Sequence, residues 1–282
     1  EKMSVVSTQK LLYKITESCQ QQPKNQLAEI QSEIIATPLM KLFPEASPEA
    51  IHYELLRNGL FEPIEWVHLN KIVQQLEENN VWQVVKKEYK RLKKLWNGPK
   101  VEIYIYPLTK KRPKIGGIKA NKNGVAYNEA LFLFISNELV KEELAALFAH
   151  EYHHICRLLY LKKSPFDMQL KDSVVIEGMA ECAVKEIYGE KWLSPWAKRY
   201  SQKEALAIWE KHFVPALHIK GVNNHHSFLY GDKTKGLPLW AGYCIGYYIV
   251  QSYLQNNGPI EQSDLYKMPT DEIIAGSDYH VK

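Results

Sequence analysis

From the start of the chain to about residue 98, apolar positions recur at helical spacing, as at Leu27, Ile30 and Ile34 and again at Leu55 and Leu56. Ser47-Pro48 reads as a cap followed by proline in the first turn, and Asn58-Gly59 as the end of that helix. The last helix of this region sets Val81, Val84, Val85, Leu92 and Leu95 on one side and a basic face from Lys86 to Lys94 on the other, before Asn97-Gly98-Pro99 stops it. That basic face reads as solvated surface, with an acidic partner as the alternative. At Lys100 the period changes. "KVEIYIYPL" alternates Val101, Ile103 and Ile105 with polar or aromatic neighbours, and "GVAYNEALFLFIS" predicts one or two further strands. Gly116-Gly117 and Asn123-Gly124 read as turns between them. After Ser136-Asn137 the helical period returns and continues to the end, without internal repeats. The pattern predicts an α+β chain, with a helical region over 1–98 and a second domain over 99–282.

The segment "NELVKEELAALFAHEYHHICRLLYLKK" reads as one helix, with Asn137 as its cap and Glu138 in its first turn. Leu144, Leu147, Phe148, Ile155, Leu158 and Leu159 make a single apolar stripe. At about 100° per residue, Glu151 falls near the centre of that stripe. A carboxylate facing a core requires a partner, because an unpaired buried charge costs at least several kcal/mol. His150 and His154 lie one turn apart at the edge of the same stripe, while His153 points away. The spacing His-Glu-x-x-His lets two imidazoles hold one Zn²⁺ with the carboxylate beside it as general base. A second helix, "KDSVVIEGMAECAVKEIYG", repeats the anomaly: Glu177 and Glu181 sit in the stripe of Val174, Ala180, Val184 and Ile187. Gly178 and Ala180 are small enough for this helix to approach the first closely. One cation between the two helices accounts for both sets of inward carboxylates.

In "HEYHH" and "EGMAE" the sequence resembles the gluzincin type of zinc metalloprotease. With "VIEGMAEC" and "LPLWAGYCIGYYIVQSYL" it resembles, more narrowly, a poorly characterised bacterial family of predicted Zn-dependent proteases, over about residues 100 to 256. The resemblance implies that Glu177 is the third zinc ligand, that Glu181 holds a ligating histidine by hydrogen bond, and that one Zn²⁺ is bound per chain. It implies a zincin-like, thermolysin-type domain: a small twisted sheet packed on the active-site helix, then a mostly helical lower half. It implies a zinc metallopeptidase that cleaves peptide or protein substrates with a metal-activated water and Glu151 as general base. "GVAYNEALFLFIS" is then the candidate edge strand onto which a peptide adds, or else a strand paired inside the sheet. A metal-dependent amidase acting on a non-protein substrate and a non-catalytic zincin-like scaffold are the alternatives; an intact Glu151 disfavours the latter.

Acyl transfer also calls for a donor to the developing oxyanion. The residues available after Glu177 are His218, His225, His226, Tyr230, Tyr243 and Tyr247. In the helix predicted from Leu239, Gly242 and Gly246 mark a close approach, and Tyr243 is chosen as the donor, with a core tyrosine as the alternative. His225 and His226 fall in a polar stretch that reads as an exposed loop. Composition narrows the rest. The 282 residues carry 36 basic and 32 acidic side chains, a net charge of +4, too slight to imply nucleic acid or an anionic membrane. The chain's opening lacks the pattern of a secretory leader, with Met3 as its natural start, and "YCIGYYIVQSYL" is too short and polar to span a bilayer. Cys19, Cys156, Cys182 and Cys244 are spaced as neither a disulfide framework nor a zinc ribbon, which suits a reducing cytoplasm. They read as buried apolar residues, with Cys156 and Cys182 as alternative ligands because they flank the motifs.

Overall fold

A computed structural model describes residues 4–112, 120–127 and 129–281; Met3 and the predicted Gly116-Gly117 turn lie outside the described residues. Five helices come first: α1 (Thr8–Cys19), α2 (Leu27–Gln31), α3 (Pro48–Asn58), α4 (Leu69–Glu78) and α5 (Val81–Leu95). Three strands follow: β1 (Glu102–Pro107), β2 (Lys122–Ala126) and β3 (Ala130–Ile135). The remainder is helical: α6 (Lys141–Leu161), α7 (Leu170–Tyr188), α8 (Gln202–Ile208), α9 (Val222–Tyr230), α10 (Ala241–Asn257), α11 (Gln262–Leu265) and α12 (Thr270–Ala275). The chain is therefore α+β, mostly helical with a small sheet. None of the described helices is long and apolar enough to cross a membrane.

Contacts divide the chain into two compact units, residues 1–91 with 100–151, and residues 92–99 with 152–282. The first holds the sheet, in the order β1-β3-β2. β1 runs parallel to β3, with Glu102 opposite Ala130, and β2 runs antiparallel to β3, with Gly124 opposite Leu133. All six residues of β3 are buried, which is why "ALFLFI" reads as an unbroken apolar run. Tyr104, Tyr106, Phe132 and Phe134 join Leu12, Ile15, Leu55 and Val73 of the preceding helices in one core cluster. α3 forms as its sequence predicts: Ser47 accepts from the Ala50 N–H, Pro48 opens the first turn, and Gly59 closes the helix at φ 117°.

Several expectations are corrected. Asn123-Gly124 is not a turn but the middle of β2; the hairpin closes later, where the Tyr127 N–H donates to the Ala130 carbonyl. α6 begins at Lys141, because the Asn137 side chain donates to Gln75 instead of capping, and Glu142 and Glu143 occupy the first turn. Leu95 is 51% exposed, whereas Tyr89 on α5 and Trp96 just past its end are buried. α6 is not one stripe through its middle: Tyr152, His153 and Arg157, on its other side, are as buried as Phe148 and Ile155.

In the second unit α7 and α10 meet backbone to backbone. A Cβ on Gly178 would lie 1.9 Å from the Gly246 carbonyl oxygen, and one on Gly246 would lie 2.1 Å from that of Val174. The small residue at 178 therefore serves contact with α10, where contact with the histidine helix was expected. A Cβ on Gly242, one turn earlier in α10, would lie 2.8 Å from the Leu229 Cα of α9. The two glycines of α10 thus admit two different neighbours. Around this crossing Leu170, Val175, Trp209, Phe213, Cys244, Ile245 and Ile249 form the core.

Candidate metal centre

One turn and a residue of α6 bring the candidate ligands together. The ligand atoms of His150, Glu151 and His154 all lie within 4.8 Å of one another, as positions i, i+1 and i+4 of a helix allow. Glu151 is 7% exposed and His154 9%. From α7, Glu177 Oε2 stands 3.4 Å from His154 Nε2. That separation exceeds an ordinary N–H···O bond of about 2.7–3.2 Å. It matches the edge of a tetrahedron whose legs are zinc–ligand bonds of about 2.0–2.1 Å, which comes to about 3.3–3.4 Å. Two imidazoles and a carboxylate also make the donor set of many hydrolytic zinc sites. The residues present fit the ion.

Further contacts surround these residues. Glu181, one turn beyond Glu177 and 1% exposed, accepts from the Ser194 backbone N–H at 2.9 Å and its hydroxyl at 2.5 Å. A carboxylate so bound is held in one orientation. β2 passes against Glu151: a Cβ on Gly124 would lie 2.2 Å from Glu151 Cγ and 2.6 Å from its Oε1. Ring stacking with Trp96 and a hydrogen bond from the Tyr152 hydroxyl to the Pro99 carbonyl hold the turn that follows Glu151. His153 turns to the other side, where it is buried with its Nε2 3.1 Å from Gln262 Oε1.

Tyr243 is buried in an aromatic group. Its hydroxyl donates to the Tyr230 hydroxyl at 2.9 Å, and its ring meets those of Trp196 and Trp240, which stack 4.1 Å apart. Trp240, at φ 59°, opens α10 in a conformation rare for a bulky residue and is held there by these rings. The Tyr247 hydroxyl accepts from Lys185, and burial pushes its pKa up to about 12. His218 is exposed.

The exposed loop expected at His225-His226 is instead helix α9. His225 is fully buried between the Ser173 hydroxyl, 2.7 Å from Nδ1, and the Ile219 carbonyl, 2.8 Å from Nε2. The carbonyl can only accept, so Nε2 carries the proton and Nδ1 accepts from Ser173. Burial holds the pKa of this ring below the usual histidine value. His226 is exposed and lies over Tyr230 at 4.4 Å between ring centres. All four cysteines are free and buried, and burial pushes the Cys156 thiol up to about 12.

Sequence reasoning missed Gly124 and Ser194. A glycine inside an otherwise strand-like run was the available signal for the first; Ser194 lies in a loop that nothing local marks.

The family described as "Predicted Zn-dependent protease (DUF2268)" matches residues 81–275. Among individual proteins, the chain is 35% identical to the uncharacterized protein YjaZ of Bacillus subtilis over 201 residues, covering 71% of this chain and 76% of that one. It is 30% identical to the uncharacterized protein YjfC of the same organism over 140 residues, covering 47% of this chain and 46% of that one. No solved structure matches.

Proposed function

We propose that this chain, which belongs to the family of predicted Zn-dependent proteases, is a zinc metallopeptidase of gluzincin type. In it His150, His154 and Glu177 hold one Zn²⁺ and Glu151 is the general base. The 3.4 Å approach of Glu177 to His154, beside the His150, Glu151 and His154 cluster, is the observation that carries this reading. Zinc held there supplies Lewis-acid chemistry, lowering the pKa of water and polarising a carbonyl. Glu151 takes the proton from the attacking water and returns it to the leaving amine. Glu181, fixed by Ser194, orients the ligand shell, and Tyr243 is the donor to the developing oxyanion, its hydroxyl then accepting from Tyr230, to which it now donates.

Residues 99–282 act as the zincin-like hydrolase domain, with 1–98 as a helical region ahead of it. The substrate is a peptide or protein segment. β2, an edge of the sheet, offers backbone groups to which an extended segment adds. The test is cleavage of a peptide library by zinc-loaded protein. Wild type cleaves, Glu151→Gln keeps the metal and loses cleavage by about 10²–10⁴-fold, and His154→Ala loses both. Inert peptides with the metal site filled would refute the peptidase assignment.

A further inference from the structure

We infer that Gly124 is a positioning residue for the Glu151 carboxylate, and that a side chain there would push the general base out of place. The inference rests on the metallopeptidase reading, since it is as a general base that the position of Glu151 matters. A Cβ at 124 would lie 2.2 Å from Glu151 Cγ, 2.5 Å from Cδ and 2.6 Å from Oε1. Real Cβ atoms essentially never come within 3.0 Å of another atom, so one partner has to move. Backbone conformation does not explain the glycine, because Gly124 is absent from the residues with positive φ and sits in a regular strand. Alanine fits that backbone; only the space is missing.

Which partner moves is decided by how β2 is held. Its ladder to β3 runs the length of the strand, from Lys122 opposite Ile135 to Ala126 opposite Leu131. Lys122 pairs with Glu143, two turns ahead of Glu151 on α6, at 2.8 Å, and Asn121 donates to the same carboxylate at 3.2 Å. On the other face of the strand, Asn123 donates to the Asn58 carbonyl at 2.8 Å. The strand is tied on both faces and along one edge. The Glu151 side chain has rotatable bonds, so an added methyl group displaces the carboxylate and leaves the strand where it is.

The experiment compares Gly124→Ala with wild type, each loaded with zinc, by crystal structure, zinc content and cleavage of an internally quenched peptide library. We expect full zinc content, a Glu151 carboxylate displaced by about 1 Å or more, and kcat lowered about 100-fold with KM little changed. Gly124→Ala adds nothing to the loss already caused by Glu151→Gln. An undisplaced carboxylate, or wild-type kcat in the zinc-loaded variant, overturns the inference. If wild type binds no zinc or cleaves nothing, the metallopeptidase reading fails, while the two crystal structures still decide whether residue 124 sets the carboxylate. If Gly124→Ala does not fold, Glu151→Ala is added, which removes Cγ, Cδ and Oε1, the three atoms the new methyl group meets. Recovered folding supports the steric relation, and continued unfolding refutes it.

Discussion

His154 Nε2 and Glu177 Oε2 stand 3.4 Å apart although they come from different helices. Packing alone gives no reason for a half-turn of α7 to aim a carboxylate at an imidazole of α6, whereas a shared cation does. Glu177→Ala should therefore weaken zinc binding by more than the roughly 10–100-fold typical of groups that only orient a ligand. Glu181→Gln should fall within that range. Competition against a chromogenic zinc chelator measures both, and equal losses for the two variants would contradict their separate roles.

The α7–α10 crossing has no room for a side chain. Gly178→Ala should cost about 1–3 kcal/mol or more, since the new methyl group meets the Gly246 backbone and not a flexible side-chain end. Urea unfolding at constant m-value reads the loss; an unchanged midpoint would show that the helices separate easily.

Arg157, one turn past His154, is fully buried, and its guanidinium donates to the Tyr266 and Met268 carbonyls and to the Thr270 hydroxyl. Burial pulls its pKa down to about 10, opposed by nearby Asp172, so it stays charged at neutral pH. Thr270 in turn donates to Asp172, which also accepts from Lys163. Arg157→Met leaves the Tyr266 and Met268 carbonyls and the Thr270 hydroxyl without their charged donor and should destabilise the fold by about 1–3 kcal/mol. Chemical denaturation checks this, and a loss below about 1 kcal/mol would contradict it.

Stability should fall on mild acidification. Burial lowers the pKa of both His52 and His225. Below the ordinary value of about 6.5, the unfolded chain binds protons that the fold does not. The stabilisation is full above that value and is lost as pH falls through the lowered folded values. Melting temperature should thus decline between about pH 6.5 and 5, less steeply in a His52→Gln, His225→Gln double variant. An identical slope would refute the assignment.

The parts of the site readable from sequence are those that violate a local rule. Glu151, Glu177 and Glu181 stand out because they occupy core positions of regular helices, and helical spacing then brings His150 and His154 to the same place. The cap at Ser47 and stop at Gly59 are equally local. What escaped depends on contacts distant in sequence. Asn123-Gly124 has the composition of a turn, and only the side chain of Glu151 explains a glycine in a strand. Gly178 signals a close approach without saying to which helix. "NNHHS" has no apolar period, yet Ser173 and the Ile219 carbonyl satisfy His225 inside the core. Asn137 lost its capping role to Gln75, about sixty residues away.

Zinc content of the purified chain, measured by elemental mass spectrometry after exposure to zinc and removal of excess, tests the central claim most directly. The account predicts one zinc per chain in wild type and in Glu151→Gln, and its loss in His150→Ala, His154→Ala and Glu177→Ala. A wild-type chain that stays free of zinc, or zinc that survives the loss of His154, would contradict it.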